Sequence, residues 1–133
     1  MSAENVKLAQ DIFAAYNRGD IERALEYVDP NAELVAPPNW PEEPVLRGHA
    51  GVRQVLAGWD EQFGGFRLDL ERVLDAGDDG VLALFNSYFR IKGSDHEIVQ
   101  PQAINVEFIE GKITRWQAYL SWEEALKAVG LEE

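Results

Sequence analysis

Apolar positions recur at helical spacing along residues 3–17. Val6, Ala9, Ile12, Phe13 and Tyr16 share one face, which predicts an amphipathic helix with Ser2 as its N-cap. The spacing returns at Ile21, Ala24, Leu25 and Val28 and predicts a second helix over 20–28. Asp29-Pro30-Asn31 stops it, because proline cannot continue the hydrogen-bond ladder. A third helix is predicted from Gly48 to about Phe63, with Val52, Val55, Leu56, Trp59 and Phe63 on one side and Gly64-Gly65 ending it.

After residue 65 the period changes from helical to alternating. Residues 66–74, 81–91, 98–109 and 113–120 read as strands, separated by turns at 76–80, 92–97 and 110–112. Residues 32–37 form one earlier short strand, followed by a proline-rich loop over 37–44 that carries Trp40. Helices first and a β meander afterwards predict an α+β fold, with helices packed on one face of a curved antiparallel sheet. Ser121-Trp122-Glu123-Glu124 is a capping box that opens a last short helix through Ala125, Leu126 and Val129, ended by Gly130.

Arg18-Gly19-Asp20 matches a tripeptide used elsewhere in cell adhesion. Helix punctuation accounts for it here: Gly19 takes the left-handed position after the first helix and Asp20 caps the second. The N-terminal residues lack a basic stretch followed by a long apolar one, so no secretory leader is expected and the cytoplasm is the expected compartment.

Composition narrows the chemistry further. The 133 residues fit one domain, 1–133, which can bury about two-thirds of its unfolded surface. With no cysteine, thiol catalysis, thiolate metal sites and disulfides are excluded. A net charge of −12 argues against nucleic acid and anionic membrane surfaces as partners. Two isolated histidines do not make a three-histidine zinc site, so no metal and no cofactor are expected. His96 lies in a turn. His49 follows Gly48 at a helix start, where the helix dipole favours a neutral imidazole and hence a general base. The spacing in 75–80 departs from that of a calcium loop, and the segment reads as a hairpin turn.

The order helix, Gly-Asp, helix, "DPNAEL", proline loop, "LRGHAGVRQVL" and a meander containing "EGKITRW" resembles the SnoaL-like branch of the ketosteroid isomerase and nuclear-transport-factor-2-like superfamily. The ending "SWEEALKAVGL" is similar to the tail of a SnoaL-like subgroup of unassigned function. The resemblance covers nearly the whole chain. It implies a cone-shaped α+β barrel in which helices close a strongly bent mixed or antiparallel sheet over an apolar cavity. It also implies a homodimer through the outer sheet face.

The resemblance assigns positions to known chemistry. Ketosteroid isomerases use a carboxylate base on the first strand and an oxyanion hole of tyrosine and protonated aspartate. Counted from the shared motifs, the tyrosine position falls on Ile12, the base on Ala36 and the aspartate on Ile104. The acid/base aspartate of SnoaL-type cyclases falls on Ala118. All four are apolar here.

In the same register the pocket is expected to comprise Ile12, Tyr16, Val55, Trp59, Phe63, Phe85, Ser87, Phe89, Gln100, Gln102, Ile104, Trp116 and Ala118, with Trp40 near its mouth. Asn86, Tyr88 and Arg90 are expected on the outer face; a register shift of one would bring Arg90 inside. Tyr16 and His49 are the candidates for proton transfer. Two functions are open: an isomerase, cyclase, lyase or hydrolase acting on a small apolar molecule, or a non-catalytic ligand-binding or dimeric association module.

Overall fold

A computed structural model describes residues 2–36, 45–76 and 80–130. Among the described residues, four helices and six strands follow in the order α1 (Ser2–Asn17), α2 (Ile21–Leu25), β1 (Val28–Val35), β2 (Val45–Arg47), α3 (Gly48–Gln62), β3 (Phe63–Asp75), β4 (Gly80–Ile91), β5 (Glu97–Ile109), β6 (Lys112–Tyr119) and α4 (Trp122–Ala128). The strands form one open sheet in the order β2-β1-β6-β5-β4-β3. The whole is a cone-shaped α+β barrel, with α1 and α3 laid across the inner face of the bent sheet.

The sheet is mixed. β3 to β6 form the predicted antiparallel meander, but β1 pairs with β6 in parallel, with Leu34 opposite Trp116. Two differences from the sequence expectation meet here. The second helix stops at Leu25 and Val28 is already in β1, because the Tyr27 carbonyl accepts the Ile113 N–H at 2.6 Å and draws the chain into the sheet. Pro30 sits inside β1 at an irregularity in the pairing between Val28 and Glu33, where a missing donor costs no ladder bond.

The turn between α1 and α2 follows from hydrogen bonding. The Gly19 N–H donates to the Tyr16 carbonyl at 3.0 Å and the Asp20 N–H to the Ala15 carbonyl at 2.9 Å, a Schellman arrangement with Gly19 at φ +77°. The Asp20 carboxylate then accepts the Arg23 N–H at 3.2 Å, capping α2.

Alternation along the strands divides the apolar residues between two faces. Val81, Ala83 and Phe85 of β4 join Ile104, Val106 and Phe108 of β5 against Ala9, Ile12, Phe13 and Tyr16 of α1. Leu82, Leu84 and Ala103 face the other way and are covered by Ala125 of α4. The Ser121 hydroxyl accepts the Glu124 N–H at 3.3 Å to start α4, so the hydroxyl half of the expected capping box forms. The Trp122 indole N–H anchors the helix by donating to the carbonyls of Gln102 and Phe85 at 2.9 and 3.2 Å.

No described helix is long and apolar enough to cross a membrane.

A two-chambered cavity as candidate functional site

Between helices and sheet lies an inner void of about 40 Å³. α1 contributes Ile12, Phe13 and Tyr16, α3 contributes Val52 and Val55, and the strands contribute Ala83, Phe85, Ile104 and Trp116. Its wall presents apolar surface only. A wider chamber of about 300 Å³ adjoins it. Val55, Trp59, Phe85, Ile104 and Trp116 belong to both walls. The chamber adds Leu34 and Ala36 from β1, Leu46 from β2, Gln54, Gly58 and Gln62 from α3, Gln102 from β5 and Ala118 from β6.

The narrow end is held by aromatic edges. Phe13 meets Phe85 edge-on with ring centroids 5.0 Å apart. Trp59 is fixed in the same way between Phe66, at 5.1 Å, and Phe89, at 5.4 Å. Such T-shaped contacts fill space while fixing ring orientation. Close packing of α3 on β1 and β2 depends on Gly51, where a Cβ would come within 3.0 Å of the Leu34 and Leu46 side chains.

The positions expected to line the pocket separate into three groups. Ile12, Tyr16, Val55, Trp59, Phe85, Gln102, Ile104, Trp116 and Ala118 line one or both chambers. Phe63, Ser87, Phe89 and Gln100 do not. Phe63 stacks on Phe89 at 4.7 Å, behind Trp59, so both rings act as supports. Gln100 spends its amide on the carbonyls of Pro101 and Leu120, at 3.1 and 3.3 Å. Ser87, with no exposed surface, donates to Gln102 Oε1 at 2.5 Å. Trp40 lies outside the described residues. The rim glutamines Gln54 and Gln62 were not among the expected residues. They lie eight residues apart with Gly58 midway, a stripe that i, i+4 spacing on α3 would have revealed.

Neither proton-transfer candidate is arranged for that work. The Tyr16 hydroxyl is buried and has no hydrogen-bond partner among the described residues. Burial pushes its pKa well above the ordinary tyrosine value, the reverse of what a general acid at neutral pH needs. His49 lines neither chamber. Its Nε2 lies 2.7 Å from the Val28 carbonyl, which can only accept, so the ring donates there and ties α3 to β1.

Arg90 is likewise off the cavity. Its Nη2 donates to the Gly64 carbonyl at 2.6 Å, while Phe89 and Ser87 take the inner positions. On the outer face Arg67 lies over the Tyr88 ring at 4.2 Å, and Arg115 pairs with Glu107 at 3.6 Å.

Ile12, Ala36, Ile104 and Ala118, the four positions assigned to the superfamily's acid/base groups, all line the chambers. No Asp, Glu, His, Lys or Arg among the described residues does so. No group of described residues could hold a metal ion.

The family model of the SnoaL-like domain matches residues 9–116. No curated protein matches the sequence. Among solved structures, TerC co-crystallised with polyporic acid is 20% identical at a TM-score of 0.76, covering 96% of this chain and 98% of that one. Bal32a, from a soil-derived mobile gene cassette, is 22% identical at a TM-score of 0.76, covering 88% of each chain. A Catenulispora acidiphila protein of ketosteroid isomerase-like fold, in complex with trimethylamine, is 17% identical at a TM-score of 0.72, covering 93% and 92%. At these identities the likeness concerns the fold.

Proposed function

We propose that this chain, which belongs to the SnoaL-like domain family, binds a small, mostly apolar molecule in its two-chambered cavity and does not catalyse proton transfer there. The observation that carries the reading is the apolar character of Ile12, Ala36, Ile104 and Ala118 at positions that face the cavity. Proton transfer beside a carbonyl needs a base within hydrogen-bond reach and donors where negative charge develops. The cavity instead offers shape, aromatic surface and neutral amides, which suit holding and orienting a ligand. TerC was crystallised with polyporic acid, which supports an aromatic ligand class for this fold.

Thermal-shift screening against neutral aromatic compounds, with polyporic acid as a separate acidic comparison, tests the reading. A ligand raises the unfolding midpoint with concentration by mass action. Flat responses across the panel, or a hit that the purified protein converts to product, would overturn it.

A further inference from the structure

Of the polar side chains on the inner face of the sheet, one remains available. Gln100 is occupied by backbone carbonyls, and the Ser87 hydroxyl is sealed from solvent and used on Gln102. Gln102 differs. Its Oε1 accepts from Ser87, its Nε2 has no protein hydrogen-bond partner among the described residues and is not a buried atom, and the residue lines the wide chamber. The orientation follows from Ser87. Turned over, the amide would leave a fully buried hydroxyl proton without an acceptor, at a cost of about 1–3 kcal/mol. The sheet therefore presents an N–H donor rather than a carbonyl.

The chamber also disfavours charge. No described residue lining it is cationic, and the residues outside the described set carry no Lys, Arg or His side chain. An anion entering this apolar space would lose its hydration with no counter-charge to replace it.

We infer that the chamber selects a neutral hydrogen-bond acceptor through the Gln102 amide, and that Ser87 is the positioning residue that keeps this amide a donor. The ligand class is an aromatic ketone, quinone or lactone in uncharged form. The inference rests on the binding reading above and goes beyond it by specifying the ligand's polar group.

Three two-ring probes separate the two ideas by calorimetry: naphthalene, acetylnaphthalene and naphthoate. Acetylnaphthalene is expected to bind about three- to ten-fold more tightly than naphthalene, the worth of one neutral hydrogen bond. Naphthoate is expected to bind at least about ten-fold more weakly than the ketone at neutral pH. Gln102→Leu should abolish the preference for ketone over naphthalene while retaining naphthalene binding. Ser87→Ala should shrink that preference, a ratio that a purely structural role for Ser87 would leave unchanged. Naphthoate binding as tightly as the ketone, or an unchanged ratio in Gln102→Leu, would overturn the inference and leave the binding reading standing. If neither naphthalene nor acetylnaphthalene binds, both fall.

Discussion

Asn17 pairs with Leu68 as a neighbouring strand would. Its Nδ2 donates to the Leu68 carbonyl at 2.7 Å, and the Leu68 N–H donates to its Oδ1 at 2.8 Å. β3 is an edge strand, so this one amide satisfies backbone groups that the sheet leaves open and fixes the end of α1 beside the cavity wall. Asn17→Ala should cost about 1–3 kcal/mol, from two lost bonds and a partly desolvated peptide group. Urea denaturation measures this, and hydrogen exchange at the Leu68 amide should quicken more than at its neighbours.

Two glycines with the same sign of φ are expected to respond differently. Gly19, at φ +77°, has nothing within 4 Å of the place a Cβ would occupy, so Gly19→Ala should cost only the left-handed strain, about 1–2 kcal/mol. At Gly48, with φ +60°, a Cβ would run into the Pro30 carbonyl oxygen. Gly48→Ala adds a backbone clash that no rotamer relieves and should cost roughly 3 kcal/mol or more. Equal midpoint shifts for the two variants would refute the close approach of α3 to β1 at Pro30.

Tyr16→Phe should stabilise the protein by about 1 kcal/mol at neutral pH, since it removes a buried hydroxyl without a partner among the described residues. The gain should grow with alkalinity. Burial raises the Tyr16 pKa in the folded state, so the native protein keeps a proton that the unfolded chain releases above about pH 10. Stability is therefore intact below that pH and falls above it, by up to about 1.4 kcal/mol per pH unit for this one group. Tyr119 is shifted in the same direction, mainly by burial, and remains in both proteins. The wild-type-minus-variant difference thus isolates Tyr16. Parallel stability curves between pH 8 and pH 11, values chosen to bracket roughly the ordinary tyrosine pKa, would contradict the burial of this hydroxyl.

Ala118→Phe should close much of the wide chamber from its β6 side. Acetylnaphthalene binding is expected to weaken by more than about ten-fold, while the unfolding midpoint changes little because the added ring enters open space rather than packed core. Unchanged affinity in a folded variant would place the ligand elsewhere.

Much of this architecture was readable from residue spacing, for identifiable reasons. α1 and α3 each bury one face, so their apolar residues repeat at 3.6; β4 and β5 alternate, and in the register implied by the family resemblance that alternation put Phe85, Gln102 and Ile104 on the inner face. β2 was not legible, because three residues paired to β1 carry no periodic signal. Gly64 and Gly65 looked like a helix stop, yet they lie in β3, where Phe63 pairs with Ile91, Gly65 pairs with Arg90, and the Arg90 guanidinium holds the Gly64 carbonyl. At the site, spacing identified which side chains face inward but not which were already occupied. Ser87 and Gln102 are both inner-face polar residues in the sequence, and only their 2.5 Å contact shows that one is used to hold the other.

The parallel pairing of β1 with β6 has a consequence for how the molecule forms. It joins residues near 34 to residues near 116, so the wall carrying Leu34, Ala36 and Trp116 exists only after nearly the whole chain has been synthesised. Contacts of such long sequence separation are slow to close and late to repay their entropy. A nascent chain that has not reached Lys112 has β1 paired only with the short β2, and the inner faces of α1 and α3 lack the strand that completes their cover. During that interval the apolar lining of the future cavity is the surface most open to chaperones and to aggregation.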